Sequence, residues 1–532
     1  MREQNLKVLL IGLDGVNFDL ISRLLPRSVM PTLNSLIAEG VSGNLKSVFP
    51  THSASAWSSF MTGTNPSAHG VFDFKMRLPD GRYRHAKPDI SNVLWHIIGN
   101  YGYKVGIFNF PVTFPPDVVN GWIVSGMLSP ELERATYPPL LGVELRKVFP
   151  DYLLDIEWML YENRPVDLLN DLIAMVIQNT QVAQYLLNRE AVDCFFMAFI
   201  ATDRAQHALW QFMDPLHPNY QADRADEIQP LIYHFYEVLD ESIKALVEFC
   251  DDETVLILLS DHGFQSAAWQ FHVNEWLANQ HWLIFQERSE RFTRWIRKVE
   301  PPPIRIIRRK IFPDVSRHFS SFAPGGTINW DKTLAYCPWN FHQGIQINPH
   351  YLAAKRLSKE SREFNQLITE ISKGLTKIRN PHNNEKVIKK VYRVAEIYQG
   401  DYLNQMPDLV FELNPNYAPG IHRQRLFEHT HWASGDHNLE GFITIYQREI
   451  TADKLGYTQL IDVAPTILRL LRLPIPSFMQ GHPLPIDIKI PMQDDSPIMP
   501  QKRLEQSPLD QGTLSDDDEK KLLEQLKNLG YL

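Results

Sequence analysis

Four apolar runs, each ending at a turn, constrain this chain more than anything else in it. They are KVLLIGLDG (7–15), YKVGIFNFP (103–111), VDCFFMAFIATD (192–203) and ETVLILLSDHG (253–263). A strand that is apolar at every position is buried on both faces, as strands of parallel sheets are. Helical patterns separate the runs, among them LNDLIAMVIQNTQVAQYLLNRE and IYHFYEVLDESIKALVEFC, and MPTLNSLIAEG reads as a helix closed by Gly40. Strands alternating with helices predict an α/β fold, a doubly wound α/β/α sandwich around a mostly parallel central sheet. Sites in such sheets lie at the carboxyl ends of the strands. Three of those ends carry aspartates: Asp14, Asp203 and Asp261.

The 532 residues exceed what one such sheet needs. Length alone would suggest about three domains, but a large α/β core with insertions fits equally. The pattern loosens between Ala267 and Pro407, so the expected organisation is a first part of the core over 1–280, an inserted cap over 281–406, a second part of the core over 407–485, and a polar linker with a C-terminal helix over 486–532. Within the second part, QMPDLVFELNP reads as a return strand and GYTQLIDVAPTILRLLRLPIP as an amphipathic helix closing the core. In the closing LSDDDEKKLLEQLKNLGYL, Ser515 caps a helix that Gly530 ends. The net charge of −9 disfavours broad nucleic-acid binding. Three scattered cysteines, Cys194, Cys250 and Cys337, indicate neither a disulfide framework nor a cysteine zinc site. With no signal-peptide pattern and no apolar run of ~18 residues, a soluble cytoplasmic protein is expected.

Carboxylates and imidazoles recur where the strands end. Asp203 and His207 stand at i and i+4 in TDRAQH, one face of any helix starting there. Asp261 and His262 are adjacent in SDHG, Asp14 lies in GLDG, and His437 lies in the glycine-bearing loop SGDHNLEGF. Each has a plain reading as turn former, surface pair or one histidine among 19. Together they offer six oxygen and nitrogen ligands on one rim, more than one tetrahedral ion needs. Two divalent ions are the inference, zinc first and manganese as the alternative. Two metals ~4 Å apart can hold the attacking and leaving oxygens of a phosphoryl transfer.

The stretch FPTHSASAWSSFMTG (49–63) crowds hydroxyls at a helix start. Either Ser53 or Ser55 caps the helix, or one hydroxyl is a nucleophile at a positive helix end whose N–H groups hold phosphate oxygens. In order, LLIGLDGVNFDLI, FPTHSASAWSSFMTGTNPSAHGVFDF, TDRAQHALWQFMDPLHPNY, LLSDHGF, SGDHNLEGF and IDVAPTILRLLRLPIP resemble the alkaline phosphatase superfamily, in particular its type I phosphodiesterase/nucleotide pyrophosphatase branch. The resemblance implies a hydrolase of phosphate esters, a phosphodiesterase working through a covalent phosphoserine. It implies that Asp14, Asp261 and His262 bind one metal, completed by the nucleophile oxygen, and that Asp203, His207 and His437 bind the other. Counting three residues from Pro50 makes Ser53 the nucleophile, with Thr51 in reserve. Where nucleotide pyrophosphatases carry a phosphate-binding asparagine stands Ala56, followed by Trp57. Phosphate then needs backbone N–H groups or Arg204, and Arg204 and Trp57 are expected at the substrate; a surface salt bridge is the other reading of Arg204. His69 matches the family and reads as structural.

Other classes compete. A sulfatase needs a C/S-x-P-x-R motif, which HSASAW lacks, and GLDGVNFD lacks the G-x-G-x-x-G of a dinucleotide-binding fold. A phosphomonoesterase, phosphotransferase or mutase of the same superfamily stays open, as do nucleotide and lipid head-group substrates. The stretch 288–317 carries ten Lys/Arg along with Trp295, Ile304, Ile306 and Ile307. It reads either as a contact with an anionic membrane surface or partner, making this a binding protein of little catalysis, or as a solvated cap.

Overall fold

A computed structural model describes residues 6–77, 83–286, 328–338, 340–420, 425–430, 432–448, 450, 455–486 and 514–531. The basic stretch 288–317 and the linker 487–513 lie outside these. The chain forms two compact units, one of residues 1–266 with 431–532, the other of residues 267–430.

A nine-stranded sheet organises the first unit. Its order is Thr458–Gln459, Val41–Lys46, Glu440–Tyr446, Val255–Leu259, Val8–Leu13, Cys194–Phe199, Val105–Phe108, Gly121–Val124 and Thr136–Tyr137. Five strands from Val255–Leu259 to Gly121–Val124 run parallel, while Glu440–Tyr446 and Thr136–Tyr137 run against their neighbours. Every residue of Val8–Leu13, Cys194–Phe199 and Val255–Leu259 is buried. At about 1.5–3 kcal/mol for each large aliphatic side chain removed from water, these central strands anchor everything built on their ends. Two groups of helices accompany the sheet: Pro165–Arg189, Ala201–Met213, Ala222–Val247 and Pro31–Glu39 in one, Ser53–Thr62, Leu94–Asn100 and Val463–Leu470 in the other. This is the expected mostly parallel α/β sandwich.

Two expectations shift. The closing helix is shorter than its pattern, Val463–Leu470. Thr458–Gln459 joins the sheet edge instead, and a capping box between Gln459 and Asp462 starts the helical segment late. The strand in QMPDLVFELNP is present as Leu409–Leu413, but it pairs with Gly344–Ile347 and Ile388–Arg393 inside the second unit. Four of its five residues are buried, as suits an inner strand of that small antiparallel sheet. That unit has its own core, in which the Ser361-capped helix Arg362–Leu375 buries Phe364, Ile368, Ile371 and Leu375 with Trp276 and Phe411.

No helix among the described residues is long and apolar enough to cross a membrane.

Candidate active site

Asp14 follows the strand Val8–Leu13 directly, and its position depends on two glycines. A Cβ on Gly12 would stand 2.5 Å from the Trp57 ring, and one on Gly15, at φ +76°, would stand 2.5 Å from Phe264. Only glycine accepts both the close approach and the left-handed turn. Trp57 is wholly buried and donates its indole N–H to Asp14 Oδ2 at 3.0 Å. Trp57 therefore holds Asp14 and packs against Phe60 and Phe110.

Asp203 lies in the first turn of the helix Ala201–Met213, one turn from His207. Asp261 and His262 follow the strand Val255–Leu259. His437 arrives from a distant part of the chain, on the strand Gly435–Asn438, which pairs antiparallel with Gly263–Ser266 and sets His437 opposite Phe264.

These six side chains, all buried, converge. His437 Nε2 is 3.0 Å from Asp203 Oδ1 and 3.0 Å from His207 Nε2, and His207 Nε2 is 3.5 Å from Asp203 Oδ1. His262 Nε2 is 3.4 Å from Asp14 Oδ1 and 3.5 Å from Asp261 Oδ2, and its ring centre lies 4.0 Å from that of His437. Each imidazole turns its Nδ1 to a main-chain carbonyl: His207 to Gly435 at 3.0 Å, His437 to Thr51 at 2.9 Å, His262 to Gly263 at 3.3 Å. That bond fixes the tautomer and aims Nε2 at the common centre, as in the outer shell of metal-binding histidines. Two compact donor sets result, Asp203–His207–His437 and Asp14–Asp203–His262. Asp203 belongs to both, and Asp261 borders the second through His262.

Burial and neighbouring charges decide how each donor titrates. Burial and the neighbouring Asp203 push the Asp14 carboxyl up to about 7. Burial, then Asp14 and Asp203, drive Asp261 well above the carboxylate range, and neither Asp261 oxygen has a hydrogen-bond partner. Burial alone would raise Asp203 too, but His207, the His437 hydrogen bond and Arg204 hold it well below its ordinary value. Burial works against the His437 imidazolium, yet Asp203 and Asp436 raise it to about 8. Burial lowers His207 to about 4 and takes His262 well below an ordinary imidazole. Two Nε2 atoms 3.0 Å apart need a proton or another cation between them. Buried charges are paired or bind metals, so these oxygen and nitrogen donors fit divalent cations.

Ser53 begins the helix Ser53–Thr62. Its hydroxyl lies 3.3 Å from Asp14 Oδ1 and 3.4 Å from His262 Nε2. Neither serine caps this helix: the N-cap is His52, without a side-chain cap, and Ser55 donates to the Val71 carbonyl at 2.9 Å. The first-turn N–H groups of such an end have no partner within the helix. Thr51 serves through its carbonyl, which receives His437. Ala56 is buried and supplies no polar group.

Arg204 is no surface residue: it is 1% exposed. Its guanidinium spans Asp155, at 3.3 and 3.0 Å, and Asp203 Oδ2 at 2.5 Å, so it is tied to the donor cluster. His69 bonds Ser59 and the Val71 N–H, and burial lowers it to about 3, consistent with a structural place. Sequence reading missed Asp155 and Trp158. The Trp158 ring lies parallel to His207, at 1° and 5.0 Å. Both come from an irregular segment with no periodic signal.

The family model for type I phosphodiesterase / nucleotide pyrophosphatase matches residues 8–439. Among solved structures, phosphonoacetate hydrolase from Sinorhizobium meliloti 1021 is similar in its complex with phosphonoacetate (TM-score 0.53, 13% identity, 87% of this chain and 95% of that one). Its complex with phosphonoformate is similar too (TM-score 0.52, 12% identity, the same coverage). A murine ectonucleotide pyrophosphatase / phosphodiesterase 5 aligns more loosely (TM-score 0.45, 12% identity, 88% and 96%). At these identities the likeness is one of fold. Among curated proteins no significant match is found.

Proposed function

The chain belongs to the type I phosphodiesterase / nucleotide pyrophosphatase family of the alkaline phosphatase superfamily and is a hydrolase of phosphoric esters; from that premise we propose that it cleaves phosphodiesters through a covalent intermediate on Ser53. The observation that carries this is the Ser53 hydroxyl, set at a helix N-terminus 3.3 Å from Asp14 and 3.4 Å from His262, amid six buried, convergent carboxylate and imidazole donors. Asp14, Asp261 and His262 would hold one divalent ion and Asp203, His207 and His437 a second. Bound there, zinc or manganese supplies Lewis-acid stabilisation of the oxygens of the ester.

The chain's own residues do the rest. The helix end presents first-turn N–H groups to the non-bridging phosphate oxygens, replacing the side-chain donor that Ala56 does not provide. Ser53 Oγ, losing its proton, forms the bond to phosphorus while the ester oxygen leaves as an alcohol. Water then cleaves the phosphoserine and restores the hydroxyl. Trp57 and the three carbonyls behind the imidazoles keep the donors aimed while this happens.

The test is hydrolysis of bis-p-nitrophenyl phosphate and p-nitrophenyl phosphate with zinc, manganese or chelator. Ser53→Ala should lower turnover more than about 10³-fold while leaving metal content intact, and the diester should be preferred. Turnover that survives in Ser53→Ala would exclude the phosphoserine and leave Thr51 or water as the nucleophile.

A further inference from the structure

Residues 514–531 do not trail in solvent. The helix Asp516–Asn528, capped by Ser515, buries Leu522 and Leu526 within the first unit, and Leu529 just after the helix is buried too. Polar contacts fix its register. Trp158 donates its indole N–H to the Leu529 carbonyl at 2.9 Å, Asn528 Nδ2 donates to Glu157 Oε2 at 2.7 Å, and Asp518 pairs with Arg134 at 3.5 Å. After the turn at Gly530, the Tyr531 ring packs 4.7 Å from Phe74, and its hydroxyl accepts from Arg204 Nη1 at 3.4 Å.

The tail thereby reaches one donor set by two independent routes. Through Tyr531 it touches the same guanidinium nitrogen that holds Asp203 Oδ2 at 2.5 Å. Through Leu529 it fixes Trp158, whose ring lies flat against His207. A helix that served only to cover apolar surface would need Leu522 and Leu526, but would have no reason to deliver a hydroxyl to that nitrogen. We infer that Tyr531 is a positioning residue: by fixing Arg204 it orients the Asp203 carboxylate, so the segment 514–531 supports the Asp203–His207–His437 set.

This rests on the proposed two-ion site, and the test separates the two. Zinc is titrated calorimetrically into chelator-treated full-length protein, with kcat, KM and melting temperature recorded for each variant. Wild type should take two equivalents and Asp203→Ala fewer. If those two are alike, the two-ion reading fails whatever Tyr531 does. Given that difference, Tyr531→Phe should weaken one equivalent about tenfold, in the range of outer-shell substitutions. It should lower kcat by a similar factor, with KM and the metal-free melting temperature unchanged. Leu526→Asp, which undocks the helix, should reproduce the loss in that same equivalent. A Tyr531→Phe protein with wild-type zinc binding and kcat, or one altered only in melting temperature, would overturn the inference and leave the tail a structural cover.

Discussion

The two sides of the candidate site are built from the same residue types and are electrostatic opposites. Around Asp203 every charge is answered: Arg204 holds one oxygen, His437 the other, and Asp155 stands behind Arg204. Around Asp14 and Asp261 the carboxyls face one another across His262, and the one cap on Asp14 Oδ2 is the neutral Trp57 N–H. Hence Asp203 is held far below its ordinary pKa while Asp14 and Asp261 are driven above theirs. The first side can hold its shape without an ion. The second is assembled by the fold against its own charge, with free energy taken from the buried strands that end there. An incoming cation therefore stabilises the second side more.

The largest effect that could break this contrast comes from neutralising one carboxylate on each side. In metal-free protein, Asp203→Asn removes the anion that Arg204 Nη1 and His437 Nε2 contact directly, leaving Asp155 as the remaining partner of Arg204, and should destabilise by about 3–5 kcal/mol, as breaking a buried ion pair does. Asp261→Asn removes a buried carboxyl that burial, Asp14 and Asp203 all disfavour as an anion, and should raise the melting temperature. Both should abolish hydrolysis. Thermal melts in chelator at pH 8 read the signs directly, and shifts in the same direction would mean that the two sides are one charge network.

Proton linkage is the next lever. His437 keeps its proton to about pH 8 and Asp14 to about pH 7, against 6.5 and 3.8 for the unperturbed groups. Both folded values are raised, so the folded chain binds more protons in those intervals, and the stability they contribute is lost as pH rises through the folded value. Asp203 has the opposite sign: its folded value is depressed, so its contribution is present above about pH 4 and lost as pH falls. His207 and His262 are lowered, so their linkage is essentially complete once the unfolded imidazole has titrated, near 6.5. From pH 6.5 to 8, metal-free protein should lose about 1 kcal/mol through His437 alone. Saturating zinc should remove that slope, and His437→Gln should flatten it. A metal-free melting temperature constant across this window would contradict the pairing of His437 with Asp203.

Much of this was legible from sequence because it depends on strand ends. Asp14, Asp203 and Asp261 follow runs whose burial is written at every position, and the i, i+4 spacing of Asp203 and His207 survives in a helix that starts at Ala201. His437 was readable only as a member of an ordered set, since its place depends on pairing with Gly263–Ser266, far away in the chain. What stayed illegible was the layer behind the donors. Trp57 reads as a substrate contact when seen beside Ala56 and becomes an Asp14 holder only once the Gly12 backbone is known to run beneath it. Arg204 reads evenly as surface or substrate residue until Asp155 arrives from an irregular loop. The strand Leu409–Leu413 has a strand's composition in either unit, and composition does not choose its partners.

Trp57→Phe sharpens the comparison with the smallest change. The phenyl ring keeps much of the packing against Phe60 and Phe110, while the N–H to Asp14 Oδ2 is lost. That bond lowers Asp14 against the burial that raises it, so its loss drives the carboxyl further up and makes it compete harder with a cation for its proton. A hydrogen bond to a charged group is worth about 1.5–3 kcal/mol, which corresponds to about tenfold or more in the affinity of one metal equivalent. The equivalent held with Asp203 and His437 should not move, because their carbonyl, guanidinium and imidazole partners do not involve Trp57. Zinc titration of chelated Trp57→Phe therefore has a two-valued answer. One weakened equivalent means the sides are tuned separately, each by its own buried layer. Two equally weakened equivalents mean that Asp203, common to both donor sets, carries the loss of Asp14 from one ion to the other.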